Sequence, residues 1–152
     1  MSRQNLDQLD LNILRNLSIN ARKPYLEIAR ECGVSGAAIH QRIQRLVNAG
    51  IIKGSECLID PSAIGYETCA YVGMWMNEPS QFDEVISKLE SMPEIVECHY
   101  TTGKYDILVK LYARNNDHLL QILQRMQTLN MARTETLISF KQVFRRQMSI
   151  EE

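Results

Sequence analysis

Ser35, Gly36, Ala37, His40, Gln41 and Gln44 are small or hydrogen-bonding residues interleaved, at helical spacing, with Ala38, Ile39, Ile43, Leu46 and Val47. A glutamine can make two hydrogen bonds to an adenine edge, and glycine or alanine permits close approach to a base or contact with a thymine methyl. Arg22, Arg42, Arg45 and Lys53 lie around them and carry the charge that phosphate oxygens attract. From Gly33 to Ser55 there are three basic residues and no acidic one. The net charge of the chain is −1, but residues 1–60 carry eight Lys/Arg against six Asp/Glu, leaving −3 for the remainder. A phosphate backbone would feel the local field rather than the sum. The opposing reading is a three-helix cluster whose polar face is merely solvated.

To present those side chains, a helix must be braced by another. Leu6, Leu9, Ile13, Leu14 and Leu17 fall at helical spacing, with Asp7 and Asp10 in the first turn, where the helix dipole favours negative charge. A second helix opens at Pro24, runs through Leu26, Ile28 and Ala29, and stops at Gly33. Ser35 N-caps a third helix that turns Ala38, Ile39, Ile43, Leu46 and Val47 inward and ends at Gly50. Helix, short turn (Gly33-Val34-Ser35), helix is the helix-turn-helix pattern, in which the second helix lies in the major groove. Ile51 to Ile59 reads as extended, and Asp60-Pro61 punctuates it.

The second half changes period. Thr68–Met76 is a strand, Gln81–Met92 a helix, Ile95–Thr102 a strand, Gly103-Lys104 a tight turn and Asp106–Ala113 a strand. A second amphipathic helix carries Leu119, Leu120, Ile122, Leu123 and Met126, and Arg133–Val143 is the last strand. At an offset of 37 residues Phe82, Val85, Ile86, Leu89 and Met92 fall on Leu119, Ile122, Leu123, Met126 and Leu129. Two copies of strand-helix-strand predict a ferredoxin-like βαββαβ unit. Helices cover one face of such a sheet, and the mixed polar and apolar residues of the other predict association with further copies of the chain, the opposing reading being a monomer with a merely mixed sheet face. The expected domains are residues 1–60, a helix-turn-helix with a linker strand, and residues 61–152, for assembly and ligand binding.

Cys32, Cys57, Cys69 and Cys98 are scattered without a CxxC pair, so reduced thiols are expected and no metal. Cys98-His99 does not alter this, because neighbours on a strand point to opposite faces. No apolar run approaches the ~18 residues of a membrane span. The polar start lacks a secretion signal, so a cytoplasmic location is expected. No nucleophile elbow, HExxH or phosphate loop occurs, and no cofactor is expected.

In order and spacing, several segments resemble the Lrp/AsnC (leucine-responsive, feast/famine) family of regulators over about Leu6 to Val143. They are Asp10-Leu11-Asn12-Ile13-Leu14, Asn20-Ala21-Arg22, Glu27-Ile28-Ala29, Gly33-Val34-Ser35, Arg42-Ile43-Gln44-Arg45-Leu46 and Gly50-Ile51-Ile52. Asp60-Pro61, Gly65-Tyr66, Pro93-Glu94-Ile95-Val96-Glu97 and Thr102-Gly103-Lys104-Tyr105-Asp106 complete the set. The resemblance implies an α+β fold: an N-terminal winged-type helix-turn-helix joined to a ferredoxin-like, RAM-type (ACT-like) domain. It further implies double-stranded DNA as partner, homo-oligomers (dimers, octamers or similar discs) and an amino acid or related metabolite as effector. The start of the third helix, Gly36-Ala37-Ala38-Ile39-His40, is smaller than the Pro- or aromatic-containing versions often found there, which leaves the DNA sequence preference open.

The resemblance also implies that ligand sits between subunits near the loop after the second strand, here Tyr100, Thr102, Gly103, Lys104, Tyr105 and Asp106. Gly103 would turn backbone N–H groups toward a carboxylate, as in an anion-binding nest. Asp106 would accept from an α-ammonium, Tyr105 would wall off an apolar side chain, and Thr134 and Thr136 of a neighbouring subunit would add hydroxyls. The same loop also reads as a plain hairpin turn. An enzyme resembling the siroheme decarboxylases would use His99, Tyr100 or Arg114, and a third reading is an assembly module without DNA binding, which Glu27 and Glu31 would suit. The basic, acid-free stretch favours a regulator that is not an enzyme.

Overall fold

Asp7 opens the first helix, α1 (Gln8–Ile19): its side chain accepts from the Asp10 N–H at 2.9 Å, while the Asp10 carboxylate accepts from the Asp7 N–H at 3.1 Å. This reciprocal cap satisfies two donors that a helix start leaves orphaned. The computed structural model describes residues 5–151. They fall into two units, one formed by the chain up to Cys57 together with the segment from Phe144 on, the other being Leu58–Val143.

In the first unit α2 (Tyr25–Cys32) starts one residue later than expected, with Pro24 as its N-cap, and ends at Gly33 in the left-handed region (φ 66°). The third helix, α3 (Gly36–Asn48), is capped by Ser35, whose hydroxyl accepts from the Ala38 N–H at 3.1 Å. Ile13, Ile28, Ala29, Ile39, Ile43 and Leu46 form the core. Val47, expected inward, is 44% exposed, and Leu26 of α2 is 64% exposed. Each is one residue from a stripe position, and the 100° step per residue carries it past the edge of a small three-helix core. The expected extended segment Ile51–Ile59 forms no strand, since no other strand in this unit offers it a ladder among the described residues. The C-terminal segment is tied to this unit where Arg15 Nε donates to the Ile150 carbonyl at 2.9 Å.

The second unit runs β1 (Thr68–Met76), α4 (Phe82–Glu90), β2 (Ile95–Tyr100), β3 (Ile107–Ala113), α5 (Asn116–Gln127), β4 (Met131–Ser139). The sheet order is β2-β3-β1-β4 and every pair is antiparallel. Ala70, Val72 and Met74 alternate inward along β1, as do Ile107, Val109, Leu111 and Ala113 along β3. Against them pack Val85, Leu89, Met92, Leu119, Ile122, Met126 and Leu129, with Phe82, Ile86 and Leu123 at the margin. These are the residues of the 37-residue repeat, so the repeat is the helix layer of the core. The fourth strand stops at Ser139 rather than Val143. Ser139 pairs with Cys69, and β1 begins only one residue before that, leaving nothing for residues 140–143 to pair with.

Candidate functional site

Asp10 is fully buried at the start of α1, and both of its oxygens are used. Arg42 donates to Oδ1 at 3.2 Å and Arg45 donates to Oδ2, which also takes the Asp7 N–H. Arg42 reaches Asp7 as well, at 2.5 Å. The Asp10 N–H, and after it the Arg42 contact, hold the Asp7 carboxyl down to about 2 from the usual 3.8. Two cations of α3 are thereby clamped to the first turn of α1, and the clamp fixes how α3 rolls about its axis. Sequence spacing places Arg42 and Arg45 as phosphate contacts; in the fold each spends donors on Asp10. A guanidinium has five N–H donors, so each keeps others for the surface.

The clamp turns Ala37, His40, Gln41, Gln44 and Asn48 outward, all exposed. Gln44 donates to Asn48 at 3.0 Å, and the His40 ring meets Tyr25 edge-on at 4.7 Å. Ser35 is occupied as a cap, and a Cβ at Gly36 would lie 3.0 Å from Cδ2 of the exposed Leu26, which would have to give by a few tenths of an ångström. Arg22 and Lys53 are exposed. Glu31, an objection to phosphate nearby, is neutralised by Lys23 at 2.5 Å.

In the second unit the 101–106 loop folds onto the sheet face that the helices leave open. Thr101 N–H donates to the Asp106 carbonyl at 2.9 Å and Thr101 Oγ1 donates to the Tyr105 carbonyl at 2.6 Å. One oxygen of Asp106 accepts from the Met76 N–H at 2.8 Å, so this carboxylate anchors the loop to β1 where the ladder bulges. Tyr105 lies over Gly73, where a Cβ would overlap its ring, and meets Trp75 edge-on at 4.9 Å. Arg133 stacks on the other ring of this pair, 4.8 Å from Trp75. Lys104 pairs with Glu135 at 3.0 Å, which raises the lysine's pKa and lowers the glutamate's. Gly103 takes φ 96°, a left-handed turn suited to glycine.

Not every expected contact is assembled within one chain. Thr134 and Thr136 stand opposite Met74 and Val72, on the helix-covered face, whereas Tyr105 and Glu135 lie on the open one. Tyr100 turns to the helix side and packs on Phe82 at 4.7 Å. The residues of the decarboxylase reading are also parted. His99 and Tyr100 point to opposite faces, and Arg114 follows β3 about 20 Å along the strand from the end that pairs with Tyr100. Sequence reading missed Asp10 and Gly73. Asp10 stood out as a helix-start acid and as the head of the Asp10–Leu14 segment, neither of which points to partners in α3, and Gly73 is notable only once Tyr105 is seen to cover it.

Residues 6–47 match the AsnC-type helix-turn-helix domain and residues 69–149 the Lrp/AsnC ligand binding domain. The chain belongs to the Lrp/AsnC family of transcriptional regulators. Among its relatives, regulatory protein AsnC of Haemophilus influenzae is 40% identical, over 90% of this chain and 93% of its own length. The structure of Escherichia coli AsnC superposes with a TM-score of 0.89 at 36% identity, covering 95% of this chain and 98% of that one. A feast or famine regulatory protein of Mycobacterium tuberculosis, complexed with L-methionine, gives 0.91 at 28% identity, covering 97% and 100%.

Proposed function

We propose that α3 enters the DNA major groove and reads sequence through Gln41 and Gln44, with Ala37 and His40 flanking them. Arg22, Lys53 and the remaining donors of Arg42 and Arg45 meet phosphates. The observation that carries this reading is the exposed, acid-free face of α3, clamped to α1 through buried Asp10. The chain acts as a homo-oligomer, a dimer or an octamer, through the open sheet face bearing Tyr71, Trp75, Leu108, Tyr112 and Leu137. A cytoplasmic, non-enzymatic role fits the same chemistry.

In this reading an amino acid binds at the 101–106 loop and shifts the assembly, and so the spacing of recognition helices. Support comes from the loop's packing on the open sheet face, which makes loop and association surface continuous. The M. tuberculosis relative held with L-methionine supports the ligand class. Two linked equilibria imply reciprocity: a ligand that favours one assembly must bind it more tightly. Gel-filtration and mobility-shift titrations with and without an amino-acid pool test this. If neither assembly size nor DNA affinity responds, the linkage is wrong.

A further inference from the structure

Far from the 101–106 loop, the other end of the sheet carries a second polar constellation. Glu94, just before β2, has a largely buried side chain, 12% exposed. Its Oε1 accepts from Arg125 at 2.5 Å and faces His118 Nε2 at 3.4 Å. Its Oε2 is buried and takes no hydrogen bond from another residue among the described residues, though the carboxylate also lies against its own N–H. Folded proteins keep few such atoms, because an unmatched buried acceptor forfeits its hydration. His118 is itself held: Nδ1 accepts from the Arg114 N–H at 3.1 Å, which leaves the proton of the neutral ring on Nε2, toward Glu94.

Beside this cluster lies a groove of about 490 Å³, lined by Tyr66, Pro93, Glu94, Arg114, Asp117 and Gln121 among others. That volume is in the range of small-molecule sites. The Arg114 guanidinium stands 5.5 Å from the Tyr66 ring and makes no ion pair among the described residues. A buried carboxylate oxygen with no donor from another residue and a guanidinium lacking a carboxylate, in one groove, are the complement of a zwitterion.

We propose that this groove binds a free α-amino acid. Its ammonium donates to Glu94 Oε2, its carboxylate pairs with Arg114, and Tyr66 and Pro93 face its side chain. β2 separates the groove from the 101–106 loop by about 20 Å, so the two sites are distinct. The inference needs neither DNA binding nor a role for the loop.

Saturation-transfer NMR on the full chain, with the twenty L-amino acids as an equimolar mixture, tests it. Ethylammonium and acetate, each carrying one of the two charges, serve as separate probes. At least one amino acid takes up saturation, and the half-ligands do not. Calorimetric titration of that amino acid then shows a binding phase weakened at least tenfold by Glu94→Gln and by Arg114→Gln. Arg114 is exposed, so its variant decides the matter alone if Glu94→Gln fails to fold. Binding at the loop persists in Arg114→Gln, as does DNA binding, so failure here and failure of the regulator reading are separable. Unchanged affinity in Arg114→Gln, or no amino acid bound at all, overturns the inference.

Discussion

Asp10 in the first turn of α1 and Arg45 in α3 are 35 residues apart in sequence and joined in one ion pair, with the carboxylate fully removed from solvent. A buried charge is tolerated only when paired, so removing one partner costs more than losing an exposed ion pair. Asp10→Ala also deletes half of the capping box. It should lower the unfolding free energy by about 3 kcal/mol in urea titrations. A loss under about 0.5 kcal/mol, the usual surface value, would show that the clamp is ornamental.

Asp7 gives the clamp a pH signature. Its carboxyl, held at about 2 in the fold against the usual 3.8, favours folding only while ionised. Its contribution is therefore fully present above the unfolded value and is lost as pH falls from about 4 toward 2. The difference in melting temperature between wild type and Asp7→Asn should be constant above pH 5 and shrink below pH 4. A constant difference down to pH 2 contradicts the assignment.

Trp75, the sole tryptophan, reports on the loop through its edge contact with Tyr105. Gly73→Ala puts a methyl where the Tyr105 ring lies. The ring must leave, the Trp75 emission should shift, and stability should fall by about 1–3 kcal/mol, the usual cost of overpacking. The same variant should blunt any response to amino acid at the loop. Unaltered emission would mean that Tyr105 is not seated on Gly73 in solution.

The helix positions of this fold are written locally. Pro24, Gly33 and Ser35 punctuate the first unit, and the 37-residue repeat marks both helices that cover the sheet. What could not be read is what depends on distant pairing. The end of β4 is set by where β1 begins, and the work of Arg42 and Arg45 by where Asp10 comes to rest. The loop residues were legible as a group, but which face each takes was not. That follows from register, which puts Thr134 and Glu135 on opposite sides of the sheet.

Base reading and phosphate contact should separate in DNA titrations. Arg22→Ala and Lys53→Ala, at exposed cations away from the Asp10 clamp, should weaken binding to every sequence and lower the salt slope by about 1 each. Gln41→Ala should instead relax preference at one base pair, by about 1–3 kcal/mol. A uniform loss from all three substitutions would refute this division.

The most direct measurement is a mobility-shift titration of the full chain against DNA from its own upstream region, at two salt concentrations, with random DNA as competitor. Saturable binding that resists the competitor and weakens steeply with salt is the expected result. Binding that random DNA abolishes at equal concentration, or none at low salt, would contradict recognition by α3.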